Sequence, residues 1–154
     1  MKSEMQKQLA VRLLSVWARK DILIRQKNQM LEITATLLER SDINLSVIGM
    51  SAGRSRDIAD TVAWSVIRRD NLEENARIIR EEINGMYKAE RFIEKVIAEE
   101  FGDSRGLPRR ALLSRYRDNV SWVKIASSNG IHVGEVRLMH ARILDGIMRR
   151  VRVE

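Results

Sequence analysis

Cysteine is absent from the 154-residue chain, which excludes a disulfide framework, thiolate metal sites and thiol catalysis and fits a reducing compartment. Proline occurs once, at Pro108, and glycine eight times, so few positions interrupt a helix. Apolar residues never run more than three in succession, so a membrane span and a secretory leader are not expected. The two histidines, His132 and His140, are too far apart for the i, i+4 pairing of a helical zinc site, and no cofactor is expected. No phosphate-binding glycine loop or nucleophile elbow occurs either, so the chain does not read as an enzyme. A soluble protein of the cytoplasm is the expectation.

What the sequence does have is helical periodicity. From Ser3 to Ser41, Leu9, Val16, Leu23, Met30 and Leu37 form one heptad column, and Ala10, Trp17, Ile24, Leu31 and Leu38 form the next. Two adjacent columns make a stripe broad enough for more than one neighbour. The period is lost in "SDINLSVIGMSAGRS", which predicts a connection of about 13–15 residues. A second helix is predicted from Ser55, its expected N-cap, to Phe101, with Leu72, Ile79, Met86 and Ile93 in one column and Ala76, Ile83 and Ile97 in another that Glu90 interrupts. Trp17 and Trp64 are assigned to these stripes. The acidic run "DNLEENARIIREEI", with Arg77 and Arg80 interleaved, reads as a solvated, salt-bridged face rather than a carboxylate site.

The expected fold is all-α: a long antiparallel, coiled-coil-like helical hairpin over residues 1–101, then a helix-turn-helix domain over 102–154, divided at "FGDSRGLPRR". The long helices are expected to mediate assembly into a homo-oligomer or contact with a partner.

Charge is uneven. Lys and Arg against Asp and Glu number 10 against 5 in residues 1–56, 7 against 11 in 57–101 and 11 against 5 in 102–154. The basic C-terminal block suggests a polyanionic partner. Within it, "SWVKIASSNGIHVGEV" predicts a short helix capped by Ser121, a left-handed turn at Gly130 and a longer helix entered at His132. Val136, Met139, Ile143, Leu144 and Ile147 fall on the inner face of that last helix, leaving Gly134, Glu135, Arg137, Leu138, Ala141 and Arg142 outward. In a major groove, Arg137 suits a bidentate contact to guanine and Glu135 can accept from a cytosine amino group. Lys124, Arg109, Arg110, Arg115 and Arg117, with the tail Arg149, Arg150 and Arg152, are candidates for phosphate contacts, which give affinity and salt sensitivity rather than sequence choice.

The run "RALLSRYRDNVSWVKIASSNGIHVGEVRLMHARILDGI" resembles the fourth conserved region of bacterial sigma factors, and more closely the C-terminal part of phage and prophage regulators of the ArpU and RinA type. The matching residues are Leu112, Leu113, Arg115, Tyr116, Ser121, Trp122, Ile125, Ala126, Gly130, Val136, Met139, His140 and Leu144. The resemblance covers about 40 residues and implies a sequence-specific reader of double-stranded DNA that controls phage genes, often late ones, by contact with RNA polymerase. The sequence departs from the family at His132, where a Ser or Thr cap is usual. Two other readings compete: a DNA-packaging component of the small-terminase kind, and a protein–protein module that binds polymerase.

Overall fold

The structure, a computed structural model, describes residues 2–50, 55–102 and 106–151, with side chains for 3–40, 63–64, 66–102 and 106–151. It is all-α: α1 (Lys2–Met50), α2 (Ser55–Phe101), α3 (Leu107–Tyr116), α4 (Trp122–Ser128) and α5 (Val133–Arg150). The break expected after Ser41 does not occur, because α1 continues to Met50. Ser41, Asp42, Asn44 and Ser46 are mediocre helix formers, each costing up to ~0.7 kcal/mol relative to alanine, and with no proline among them the helix propagates. Of the expected connection, 51–54 lie outside the described residues; α2 begins at Ser55, the expected N-cap, whose side chain is also outside them.

The chain packs as two compact units, one of Met1–Leu23 with Gly85–Glu154, the other of Ile24–Asn84. Packing therefore does not divide at Phe101. The reason is that α3 and α5 do not close a core alone: Leu112, Ile143, Leu144 and Ile147 share one apolar cluster with Ala10, Leu14, Trp17 and Ala18 of α1 and Ile93, Val96 and Ile97 of α2.

In this first unit the α1 and α2 segments run antiparallel. The Trp17 indole Nε1 donates to Glu94 Oε1 at 3.1 Å, and Lys20, further along α1, pairs with Glu90, further back on α2. Glu90, the interruption in its heptad column, is thus matched by a cation rather than left in an apolar seam. In the second unit Lys27 pairs with Glu82, and Ile24, Ala76 and Ile79 are buried. Thr34 is buried too, its hydroxyl donating to the Met30 carbonyl one turn back at 2.8 Å.

Of the two α1 columns only the second contributes to the core, and only in its first half, since its Leu31 and Leu38 are half-buried. Ala10, Trp17 and Ile24 are buried, whereas Leu9, Val16, Leu23 and Leu37 are half-buried and Met30 is exposed. Trp64 does not join the stripe; it is 73% exposed. It lies one residue before the position that continues the Leu72–Ile79 column, and one residue turns a side chain by roughly 100° around a helix.

Candidate nucleic-acid interface

The interface is built from local signals in the last third of the chain. Gly106 adopts an extended conformation ahead of α3, and Pro108 sits in its first turn, at the second helical residue rather than the first. After α3, Asn119 takes a left-handed φ of 56°, a conformation asparagine tolerates better than most side chains. Ser121 then caps α4, its hydroxyl accepting the Lys124 N–H at 3.2 Å.

The turn out of α4 is made by Asn129 and Gly130. The Asn129 side-chain amide donates to the Ile125 carbonyl at 2.7 Å, Gly130 has φ +66°, and Ile131 N–H returns to the Ala126 carbonyl at 3.1 Å. These bonds satisfy carbonyls that the helix end would otherwise leave unpaired. His132 enters α5 in an extended conformation without a side-chain cap, and Glu135 in the first turn supplies the negative charge that the helix N-terminus favours.

Two apolar clusters fix the frame. Ala111, Ile125, Ala126 and Val136 are buried together under Trp122, Ile131 and Met139, while Ile143, Leu144 and Ile147 carry α5 into the core shared with α1 and α2. Between them the Tyr116 hydroxyl meets His140 Nε2 at 2.6 Å, with the Trp122 ring 4.5 Å from the imidazole. Burial, reinforced by the positive charges of Arg115 and Lys7, lowers the His140 pKa from 6.5 to about 4. The imidazole is therefore neutral at neutral pH, and its Nε2 can accept the phenol proton.

An unfolded chain takes up that proton more readily than the folded one. The His140 contribution to stability is thus fully present above pH 6.5 and is lost as the pH falls toward about 4. Urea midpoints measured from pH 7 to pH 4 should decline, and His140→Gln should remove part of the slope; an identical slope in the variant would contradict the assignment.

The outward residues of α5, Gly134, Glu135, Arg137, Leu138, Ala141 and Arg142, are all exposed. Around Gly134 nothing lies within 4 Å of where a Cβ would stand. Gly134→Ala is therefore expected to stabilise the fold by up to ~1 kcal/mol through helix propensity alone, read as a raised urea midpoint with an unchanged m-value.

The candidate cations fall into two groups. Arg137, Arg110 and Lys124 are exposed, and among the described residues no carboxylate pairs with them. The others are engaged. Arg109 Nε bonds Glu94 at 3.2 Å and its guanidinium lies 5.9 Å from the Trp17 ring; Arg115 stacks over Trp122 at 5.4 Å and donates to the Val120 carbonyl. Arg117 pairs with Asp118 at 3.2 Å, and Arg142 reaches Glu100 at 3.5 Å while lying over Phe101.

The tail arginines expected to hold phosphates are engaged in the same way. Arg149 meets Glu100 at 2.7 Å, and Arg150 meets Glu99 at 2.8 Å and Glu100 at 3.1 Å. Arg152 lies outside the described residues. Arg150, aided by Arg149 and Arg142 and opposed by burial, holds the Glu100 carboxyl below the usual carboxylate range. Gly146 gives this carboxylate room, since a Cβ there would stand 3.0 Å from the Glu100 Cγ and the side chain would have to shift by a few tenths of an ångström.

Sequence reasoning missed this anchoring. A signal was present: two glutamates end α2, where the helix dipole disfavours negative charge, and no basic residue stands in the last turn to offset them. It also missed Val123, 60% exposed beside Lys124, although Trp122 and Ile125 taking the inner side of α4 turns Val123 outward.

Among the described residues no group of three or more His, Cys, Asp or Glu is placed to hold a metal, and no helix is long and apolar enough to cross a membrane. Comparison with protein-family models, with curated proteins and with solved structures finds no match to the chain.

Proposed function

We propose that this chain is a sequence-specific DNA-binding regulator of phage-type transcription, acting without catalysis in the cytoplasm of a bacterial host through a helix-turn-helix made of α4, the Gly130 turn and α5. One observation carries the reading. The inner face of α5 is fixed in two apolar clusters, while the outward side of its first two turns is exposed and presents Arg137 without a carboxylate partner among the described residues. A helix held this way can enter a major groove with its N-terminal turns and present Arg137 and Glu135 to base edges. The resemblance to the ArpU and RinA type of regulator supports the same reading. It further suggests contact with RNA polymerase, and the half-buried Leu9, Val16, Leu23 and Leu37 column on α1 suits self-association.

The roles divide by engagement. Arg137 and Glu135 specify, with Leu138 and Gly134 beside them. Lys124 and Arg110 contact phosphates. Arg109, Arg115 and Arg142 chiefly hold the frame, since their guanidinium groups already serve Glu94, Trp122 and Glu100.

Selection of binding sites from random duplexes tests the proposal. An enriched sequence bound far more tightly than a scramble at several salt concentrations is expected. Arg137→Ala should then cost ~1–3 kcal/mol on that duplex and relax one base position, whereas Lys124→Ala should weaken all duplexes alike and lower the salt slope by about 1. Absence of enrichment, with only weak salt-sensitive binding, would reject the proposal and favour a module that binds protein.

A further inference from the structure

We infer that Leu138 reads the C5-methyl group of a thymine, so that the DNA taken by this interface carries a thymine facing the second turn of α5. The inference rests on the DNA-binding reading above and specifies its ligand.

Leu138 is 73% exposed, on a helix whose other large aliphatic residues are mostly buried. On the outward face Gly134 and Glu135 stand one turn before it and Ala141 and Arg142 one turn after it; Gly134 and Ala141 are too small to cover it, and the Arg142 guanidinium is drawn to Glu100 and Phe101. The missing Cβ at Gly134 faces open space. Leu138 is thus the large aliphatic side chain on the exposed face of α5, and the Gly134 and Ala141 positions beside it leave it room to meet a surface. The surface it suits is polyanionic, because Arg137 next to it and Lys124 on α4 have no carboxylate partner among the described residues.

A leucine side chain can neither donate nor accept a hydrogen bond. The major groove of a duplex offers it one apolar group, the thymine methyl, among edges that are otherwise donors and acceptors. Leu138 also lies within the first two turns of α5, the part of such a helix that enters the groove. Exposure in the free protein and burial against a methyl in the complex make its contribution specific to the bound state.

Uracil substitution isolates this contact, since it removes the C5-methyl and leaves every hydrogen-bonding group of the base in place. Each thymine of the selected duplex is replaced in turn, and the full chain and Leu138→Ala are titrated with each duplex. At one position the full chain should bind the uracil duplex about fourfold more weakly, the value of one buried methyl-sized group. Leu138→Ala should bind the thymine and uracil forms of that position equally.

Indifference of the full chain to uracil at every thymine, with binding otherwise intact, overturns the inference and leaves the DNA-binding reading standing. So does a Leu138→Ala chain that still distinguishes the two bases. Failure to enrich any duplex overturns both. Leu138 is exposed, so an unchanged urea midpoint for the variant will show that a loss of discrimination is not a loss of fold; Leu138→Gln, which keeps side-chain length but is polar, should lose the discrimination as well.

Discussion

Residues 102–154 produced without the rest of the chain will fail to hold a cooperative fold, although every part of the candidate DNA interface lies within them. The apolar cluster that receives Leu112, Ile143, Leu144 and Ile147 has eleven buried members, and seven of them, Ala10, Leu14, Trp17, Ala18, Ile93, Val96 and Ile97, come from α1 and α2. Cutting at 102 exposes the inner face of α5 to water and strips Arg142, Arg149 and Arg150 of Glu99 and Glu100. What remains is the smaller cluster around Ala111, Ile125, Ala126 and Val136, too little for a stable domain of this size. The fragment should show a broad thermal transition and little amide protection. A sharp transition with protected amides in α5 would contradict this, and would mean that the shared core is dispensable.

Trp17→Ala is expected to cost ~3–5 kcal/mol, the usual penalty for removing a large aromatic from a core. Trp17 is 1% exposed, packs within the cluster that receives α5, and spends its only polar atom on Glu94. Glu94 keeps Arg109 as a partner in the variant, so the loss is mainly the cavity rather than an orphaned charge. Against a typical total of 5–15 kcal/mol this is a large fraction of the stability. Urea unfolding will measure it. Hydrogen exchange should show the loss in α5 as well as α1, since the two belong to one unit. Trp17→Phe, which keeps most of the volume, should lose much less; equal losses would point to the Glu94 bond as the main term.

These expectations mark where the sequence could be read and where it could not. Helix boundaries in the last third followed from chemistry that acts within a few residues: Ser121 as a cap, Gly130 in a left-handed turn, and the inward set Ile125, Ala126, Val136 and Ile143. All of these but Ile143 are among the residues on which the resemblance to phage regulators rests, so that part of the candidate site was legible as fold. The outward placement of Arg137 and Leu138 followed from helical periodicity alone.

Tertiary partnership was not legible. Periodicity says that a face is apolar without naming what covers it. It therefore did not reveal that α1 and α2 complete the core of α3 and α5, nor which of two α1 columns is buried. For the same reason Arg109, Arg115 and Arg142 looked as available as Arg137 until Glu94, Trp122 and Glu100 were placed beside them. The extension of α1 to Met50 was hidden by a composition of weak formers that a helix already under way absorbs.

The shared core also sets an order of events during synthesis. Ala10, Leu14 and Trp17 are made before α2, α3 and α4, yet they share their cluster with Ile143 and Ile147, which follow all three. Contacts between segments so distant in the chain form slowly, because most of the loop-closure entropy must be spent before any of them is made. Until α5 has been released, the cluster of α1 and α2 lacks the cover that Ile143, Leu144 and Ile147 supply. α5 therefore closes the first unit in the same step that brings the candidate interface into being.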